Sequence, residues 1–257
     1  MRPLELYIHI PFCVKKCKYC DFLSGPSTAD QRETYVTSLC QDIRAYADLA
    51  KAYRVISIFV GGGTPSILTA EQMERIFEAV RETFYVEKDA EITVEMNPGT
   101  VDADKLSGYK RCGINRLSIG LQSTKNRELQ ILGRIHTYEE FVETYQLART
   151  EGFENINIDL MSAIPGQRLV DWEESLRVVA KLGPEHISAY SLIVEEGTPF
   201  YEEYGEGRHA EELPDEETER KMYWRTKEIL KEYGYMRYEI SNYAKPGYEC
   251  RHNIGYW

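Results

Sequence analysis

Cys13, Cys17 and Cys20 are three thiols within eight residues, in a Cys-x3-Cys-x2-Cys spacing. Three thiolates on one short loop can hold three irons of a cubane cluster and leave the fourth iron open to a substrate or cofactor. Lys15, Lys16 and Lys18 are interleaved with them and would offset thiolate charge, while Phe12, Tyr19 and Phe22 could shield a cluster from water. A structural zinc site would use the same thiolates with a fourth ligand from His9, Cys40 or Cys112, although zinc sites more often pair two Cys-x2-Cys knuckles. A second chemical signal is Gly61-Gly62-Gly63-Thr64-Pro65. A backbone free of side chains can approach a ligand closely and offer its N–H groups, or it can simply form a tight turn.

Both segments follow short β-rich runs. Residues 4–10, 54–60, 91–96, 115–121, 155–160 and 186–192 read as strands, and 33–50, 70–84, 138–151 and 170–181 as amphipathic helices. Thr69 with Gln72 and Thr137 with Glu140 have capping-box spacing, and Gly113 and Gly152 stand where helices should end. Six βα units in series predict an α/β fold, a partial (β/α)6 TIM-like barrel. Along most of these strands polar residues alternate with apolar ones: Tyr7 and His9, Glu91, Thr93 and Glu95, Arg116 and Ser118, Asn157 and Asp159, His186 and Ser188. A packed barrel fills its interior with branched apolar side chains, so this polar face implies a ligand-filled lumen. A half-exposed antiparallel sheet would show the same alternation, and the intervening helices argue against it.

The chain has 257 residues, about the size of one such barrel. The domain reading is a barrel over 1–195 and an acidic, helix-containing extension over 196–257, with a charged helix over 215–233 and a short aromatic end that reads as truncated. The 31 Lys and Arg against 42 Asp and Glu leave a net charge of −11, which would repel a phosphate backbone, so nucleic acid is excluded as a partner. Apolar runs fall short of the roughly 18 residues of a membrane span, and no signal-peptide pattern opens the chain. A reduced, cytoplasmic protein is expected. Cys40 and Cys112 read as packing residues.

The tract Tyr7-Ile-His-Ile-Pro-Phe-Cys13-x3-Cys17-x-Tyr19-Cys20 resembles the signature of the radical S-adenosylmethionine (SAM) superfamily. The resemblance implies a 4Fe–4S cluster on Cys13, Cys17 and Cys20, with SAM on the open iron, where reductive cleavage gives a 5′-deoxyadenosyl radical. Gly61-Gly62-Gly63-Thr64-Pro65 is similar to one branch, that of oxygen-independent coproporphyrinogen III oxidase and its relatives. By that resemblance Gly62, Gly63 and Thr64 contact SAM, together with Tyr7, Tyr19, Glu95, Gln122, Arg134 and Asp159. Physically, Arg134 can grip a carboxylate as a fork and Asp159 can accept from ribose hydroxyls. All four strand-end residues stand at the C-terminal side of successive strands, where barrel sites are built.

Two features place the chain within the branch. Oxidases of this type carry a further cysteine two residues after the third, and Phe22 stands there instead. Arg251-His252-Asn253-Ile254-Gly255-Tyr256-Trp257 resembles the His-Asn-x-x-Tyr-Trp motif of the branch's heme chaperones. The resemblance implies heme as a further cofactor, with His252 as an axial ligand, Cys250 as an alternative thiolate, and Tyr256 and Trp257 as flat surfaces for a porphyrin. It also implies a heme-acceptor protein, an electron donor such as a flavodoxin or ferredoxin, and membrane contact only through the acceptor. The competing activity is that of a coproporphyrinogen dehydrogenase-type oxidoreductase.

Overall fold

The computed structural model covers residues 1–257. Six parallel strands follow one another around the sheet: β1 (Arg2–Ile10), β2 (Tyr53–Gly62), β3 (Tyr85–Met96), β4 (Arg116–Gln122), β5 (Ile156–Ser162) and β6 (His186–Ser191). The chain between them forms α1 (Ala29–Ala45), α2 (Ala47–Ala50), α3 (Ala70–Thr83), α4 (Ala103–Arg111), α5 (Asn126–Ile131), α6 (Tyr138–Thr150) and α7 (Leu169–Leu182). This is the partial (β/α)6 barrel anticipated from the alternation.

Local chemistry sets the boundaries. Thr28, Thr69 and Thr137 each close a reciprocal capping box with Gln31, Gln72 and Glu140. The box at Thr28 starts α1 four residues before the start expected from periodicity, and α1 breaks at Tyr46 instead of running on to residue 50. Met73, Ile76, Phe77 and Val80 of α3 recur at helical spacing and are all buried, so this helix has one apolar stripe to place against the sheet. In β4 all seven residues are buried. Leu117, Ile119 and Leu121 join the apolar core shared with the helices, while Arg116, Ser118, Gly120 and Gln122 take the opposite, lumen face. β3 begins six residues earlier than expected, and a register shift between Val55 and Ser57 on β2 absorbs the extra length.

The stretch expected as an extension returns to the same sheet. After α8 (Pro199–Tyr204), α9 (Glu216–Glu232) is capped by Asp215 and packs on α7, where Trp172 Nε1 donates to Thr226 Oγ1 at 2.9 Å. β7 (Met236–Arg237) and β8 (Asn242–Ala244) then add two antiparallel strands in the order β1-β2-β3-β4-β5-β6-β8-β7. Neither was anticipated, because two or three residues carry no periodicity. A last turn, α10 (Arg251–Ile254), contacts β2. No helix is long and apolar enough to cross a membrane.

The two-faced sheet makes a stability prediction. Ile158 of β5 is wholly buried on the helix-facing side, so Ile158→Ala should cost roughly 2–5 kcal/mol in urea unfolding with an unchanged m-value.

Candidate functional site

The cysteine loop leaves the C-terminal end of β1 and is tied down on both sides. Cys13 N donates to Gly25 O at 3.0 Å and Gly25 N to Pro11 O at 3.1 Å, closing the loop on itself. Lys18 N donates to Leu132 O at 3.0 Å, and Lys18 O accepts from Phe200 N at 3.1 Å, fixing its far side to the chain after α5 and to α8. The glycine run at the end of β2 packs directly on it. Gly63 N donates to Ile10 O at 2.8 Å and Thr64 N to Phe12 O at 2.7 Å. A Cβ on Gly63 would fall 2.5 Å from Phe12 O, and one on Gly62, whose φ is 114°, would fall 2.6 Å from the His9 ring. These glycines are therefore demanded by close packing, and Gly62 also by a backbone conformation that disfavours any side chain.

One cleft at this end of the sheet is lined by Cys13, Cys17 and Cys20 and by Tyr19, Gly62, Gly63, Thr64, Glu95, Gln122, Arg134 and Asp159. The three cysteines are free thiols, and burial pushes the Cys20 thiol up. The fourth ligands considered for zinc lie elsewhere. None of His9, Cys40 and Cys112 lines the cleft, Cys40 Sγ points to Arg75 O, and His9 Nε2 is paired with Leu23 O. A site with three thiols, two lysines and no fourth protein thiol or imidazole fits a cluster with one open iron better than a closed tetrahedral zinc.

The strand-end groups are arranged around the rest of the cleft. Glu95 accepts from Gly62 N at 3.0 Å, and burial, with the nearby Asp159 charge, pushes its carboxyl up to about 8. Asp159 accepts from Asn157 Nδ2 at 2.8 Å and from Ser118 Oγ at 3.3 Å, and burial raises its pKa too. Arg134 Nη2 donates to Asn97 Oδ1 at 2.7 Å and to Gly120 O at 2.6 Å, while Nη1 reaches Cys17 Sγ at 3.6 Å. Gln122 has φ 74°, a left-handed conformation that is costly for a side-chain-bearing residue and that breaks the register between β4 and β5. Two buried carboxylates and a guanidinium facing a cluster-competent loop suit a ligand carrying an amino group, a carboxylate and sugar hydroxyls.

Two anticipated residues lie apart from this cleft. Tyr7 does not line it: the ring stacks on Phe59 and its hydroxyl meets His9 Nδ1 at 3.2 Å, although burial raises its pKa and Glu95 is near enough to help. His252 sits deeper along the lumen face, roughly four residues or 13 Å below Glu95 along β3. Its Nδ1 is 3.0 Å from Ser57 Oγ, its backbone N donates to Glu91 Oε1 at 3.3 Å, and its ring stacks on Phe59. It is 4% exposed, burial lowers its pKa, and Nε2 has no partner. Tyr256 and Trp257 are open to solvent, at 71% and 82% exposure. Sequence reasoning missed Asn97, which bridges Thr64 Oγ1 at 2.9 Å and Arg134, and Gly120, whose carbonyl orients Arg134. Position was the available signal, since Asn97 follows Glu95 by two residues at the same strand end.

Residues 7–179 match the radical SAM superfamily. The chain is 42% identical over 256 residues to the heme chaperone HemW of Escherichia coli K12, spanning 99% of this chain and 66% of that protein. It is 38% identical over 252 residues to HemW of Bacillus subtilis, again across 66% of the relative, so it spans just under two thirds of the length of these proteins. The solved coproporphyrinogen III oxidase HemN of Escherichia coli superposes with a TM-score of 0.86 at 30% identity, over 96% of this chain and 57% of that one.

The Glu95 carboxyl, raised to about 8 from 4.5, keeps a proton in the folded chain that the unfolded chain releases. Stability should therefore fall as pH rises through that window. Glu95→Gln, measured by thermal unfolding without added cofactors, should raise Tm by roughly 2–4 °C or more at pH 8 and leave it nearly unchanged near pH 4.5. Equal offsets at both values would mean that Glu95 is ionised in the folded protein.

Proposed function

The chain belongs to the radical SAM superfamily and is similar along its whole length to the HemW heme chaperones, and on that premise we propose that it binds a 4Fe–4S cluster, SAM and heme and delivers heme to an acceptor protein. The observation that carries the reading is the convergence of Cys13, Cys17 and Cys20 with eight further predicted SAM contacts on one cleft. Cys13, Cys17 and Cys20 ligate three irons. A cluster held by these thiols would offer SAM an open coordination position and reducing chemistry. Arg134, held in place by Asn97 and Gly120, meets the SAM carboxylate. Glu95 would accept a hydrogen bond from the amino group, and Asp159 from the ribose hydroxyls. Gln122 and the main chain of Gly62, Gly63 and Thr64 complete the amino-acid end, with Tyr19 covering the loop and Tyr7 bracing it through His9.

Heme is assigned to the segment that ends in Tyr256 and Trp257. His252 Nε2 is an imidazole nitrogen with no protein partner, which would suit a ligand to heme iron, but it is buried, and α10 would have to leave Ser57 and Glu91 to expose it. The setting is cytoplasmic, with an acceptor hemoprotein, a flavodoxin- or ferredoxin-like electron donor, and membrane contact only through the acceptor. Coproporphyrinogen III decarboxylation is the second reading, favoured by the likeness to HemN. Phe22, exposed where the oxidases carry a cysteine, weighs against it.

Anaerobic reconstitution should load about four irons per chain, falling to less than half in Cys17→Ala. A hemin titration of that protein, followed at the Soret band, should saturate near one heme per chain and weaken about tenfold in His252→Ala. Unsaturable binding, or turnover of coproporphyrinogen III under reducing conditions, would favour the second reading.

A further inference from the structure

We propose that His186 and Asn157 are positioning residues for the Asp159 carboxylate, and that Tyr238 extends this link to the main chain of Cys250 at the head of α10. The proposal rests on the assignment of Asp159 to SAM. It ties the SAM cleft to the segment that carries His252 through a line of hydrogen bonds, beside the buried Arg116 whose charge acts on both Asp159 and Cys250.

Four hydrogen bonds make the connection. Cys250 N donates to Tyr238 Oη at 3.3 Å, Tyr238 Oη lies 2.8 Å from His186 Nε2, His186 Nδ1 lies 2.6 Å from Asn157 Oδ1, and Asn157 Nδ2 donates to Asp159 Oδ1 at 2.8 Å. Their direction follows from chemistry. A carboxylate only accepts, so the Asn157 amide must turn its nitrogen toward Asp159 and its oxygen toward His186. That oxygen also accepts from Ser188 Oγ at 3.1 Å, and the nitrogen also donates to Ser118 Oγ at 2.8 Å, which leaves the Ser118 hydrogen for Asp159; turning the amide over would set its oxygen against the carboxylate. His186 must then carry its hydrogen on Nδ1. Burial, with Arg116 nearby, holds the ring neutral, which leaves Nε2 a bare acceptor for the Tyr238 hydroxyl hydrogen. The Tyr238 oxygen in turn takes the Cys250 N–H.

Each group in the line therefore has one orientation. His186 and Asn157 are paired partners across β6 and β5, and both are almost wholly buried, so neither can exchange its protein partner for water. Asp159 gains a fixed rotamer from this support, with Ser118 Oγ on its second oxygen. Because the line ends on a backbone amide, a ligand that stabilises Asp159 in this rotamer also favours the seated position of α10. Linkage requires the reverse as well, so unseating α10 must weaken that ligand.

Three variants of the anaerobically reconstituted protein test both parts. His186→Leu removes the donor to Asn157, His186→Asn restores a donor near the Nδ1 position without an acceptor for Tyr238, and Tyr238→Phe cuts only the outer link. Equilibrium dialysis with SAM should show about tenfold weaker binding in His186→Leu, most of it recovered in His186→Asn. Hydrogen exchange of the peptide spanning residues 248–254 should slow when SAM is added to the wild-type chain. It should not respond to SAM in Tyr238→Phe or His186→Asn. Wild-type affinity in His186→Leu, or equal weakness in His186→Leu and His186→Asn, would overturn the positioning role. SAM-dependent slowing that persists in Tyr238→Phe would overturn the link to Cys250. A wild-type chain that loads its cluster yet binds no SAM would instead overturn the functional reading, and this proposal with it. Should His186→Leu not fold, the comparison of Tyr238→Phe with wild type still decides the connection.

Discussion

The approach of Gly63 to the carbonyl of Phe12 is the contact on which the site depends. Two loops from neighbouring strands meet there with no space for one additional carbon, and the Thr64 N–H is drawn to the same oxygen. The cysteine loop leaves Val14, Phe22 and Leu23 exposed, so apolar burial does little to hold it. It is placed because its main chain is used by its neighbours: by β2 through Gly63 and Thr64, by the chain after α5 through Leu132, and by α8 through Phe200. Each tie enters from a different element, so the three thiols face the cleft only when the surrounding strands have already been brought into order.

The lumen beneath is an unusual interior for a barrel of this size. Arg116, Glu95, Asp159, Asn157 and His186 replace the layers of branched side chains that normally fill such a core. Burying charge is costly, and the raised pKa values of both carboxylates express that cost. Arg116 is 1% exposed, with one long contact to Thr93 Oγ1 and an Nε without a partner. The apolar core shared by sheet and helices bears the stability of the fold, and the lumen is thereby free to keep groups whose satisfaction waits on a ligand.

Much of this was legible in the amino-acid sequence, for identifiable reasons. Strict alternation in β3, β4 and β5 fixed which residues share the lumen face, and the Thr-x-x-Gln and Thr-x-x-Glu boxes marked α3 and α6. The cysteine spacing and the glycine run named the site before its geometry was known. Parity along a strand gives a face but not a height, which is why Tyr7, on the expected face, ends against Phe59 and His9 instead of in the cleft. The place of His252 depends on where a four-residue turn docks, against Ser57 and Glu91 far away in the chain. No local pattern encodes such a contact. The same holds for Asn97, whose partners come from two other strand ends, and for the short strands β7 and β8.

The order of the sheet has one further consequence. β1 and β7 stand at its two ends and do not pair, so no continuous ladder of main-chain hydrogen bonds runs around the lumen. The remaining gap is approached by side chains, with Gly255 at the end of α10 set tightly against Glu5 of β1. In a fully closed barrel strand number and shear dictate the diameter. Here the sheet stays open between β1 and β7, and α10 packs inside it against Ser57 of β2, Glu91 of β3 and Glu5 of β1, so no closed ladder sets the girth of the lumen.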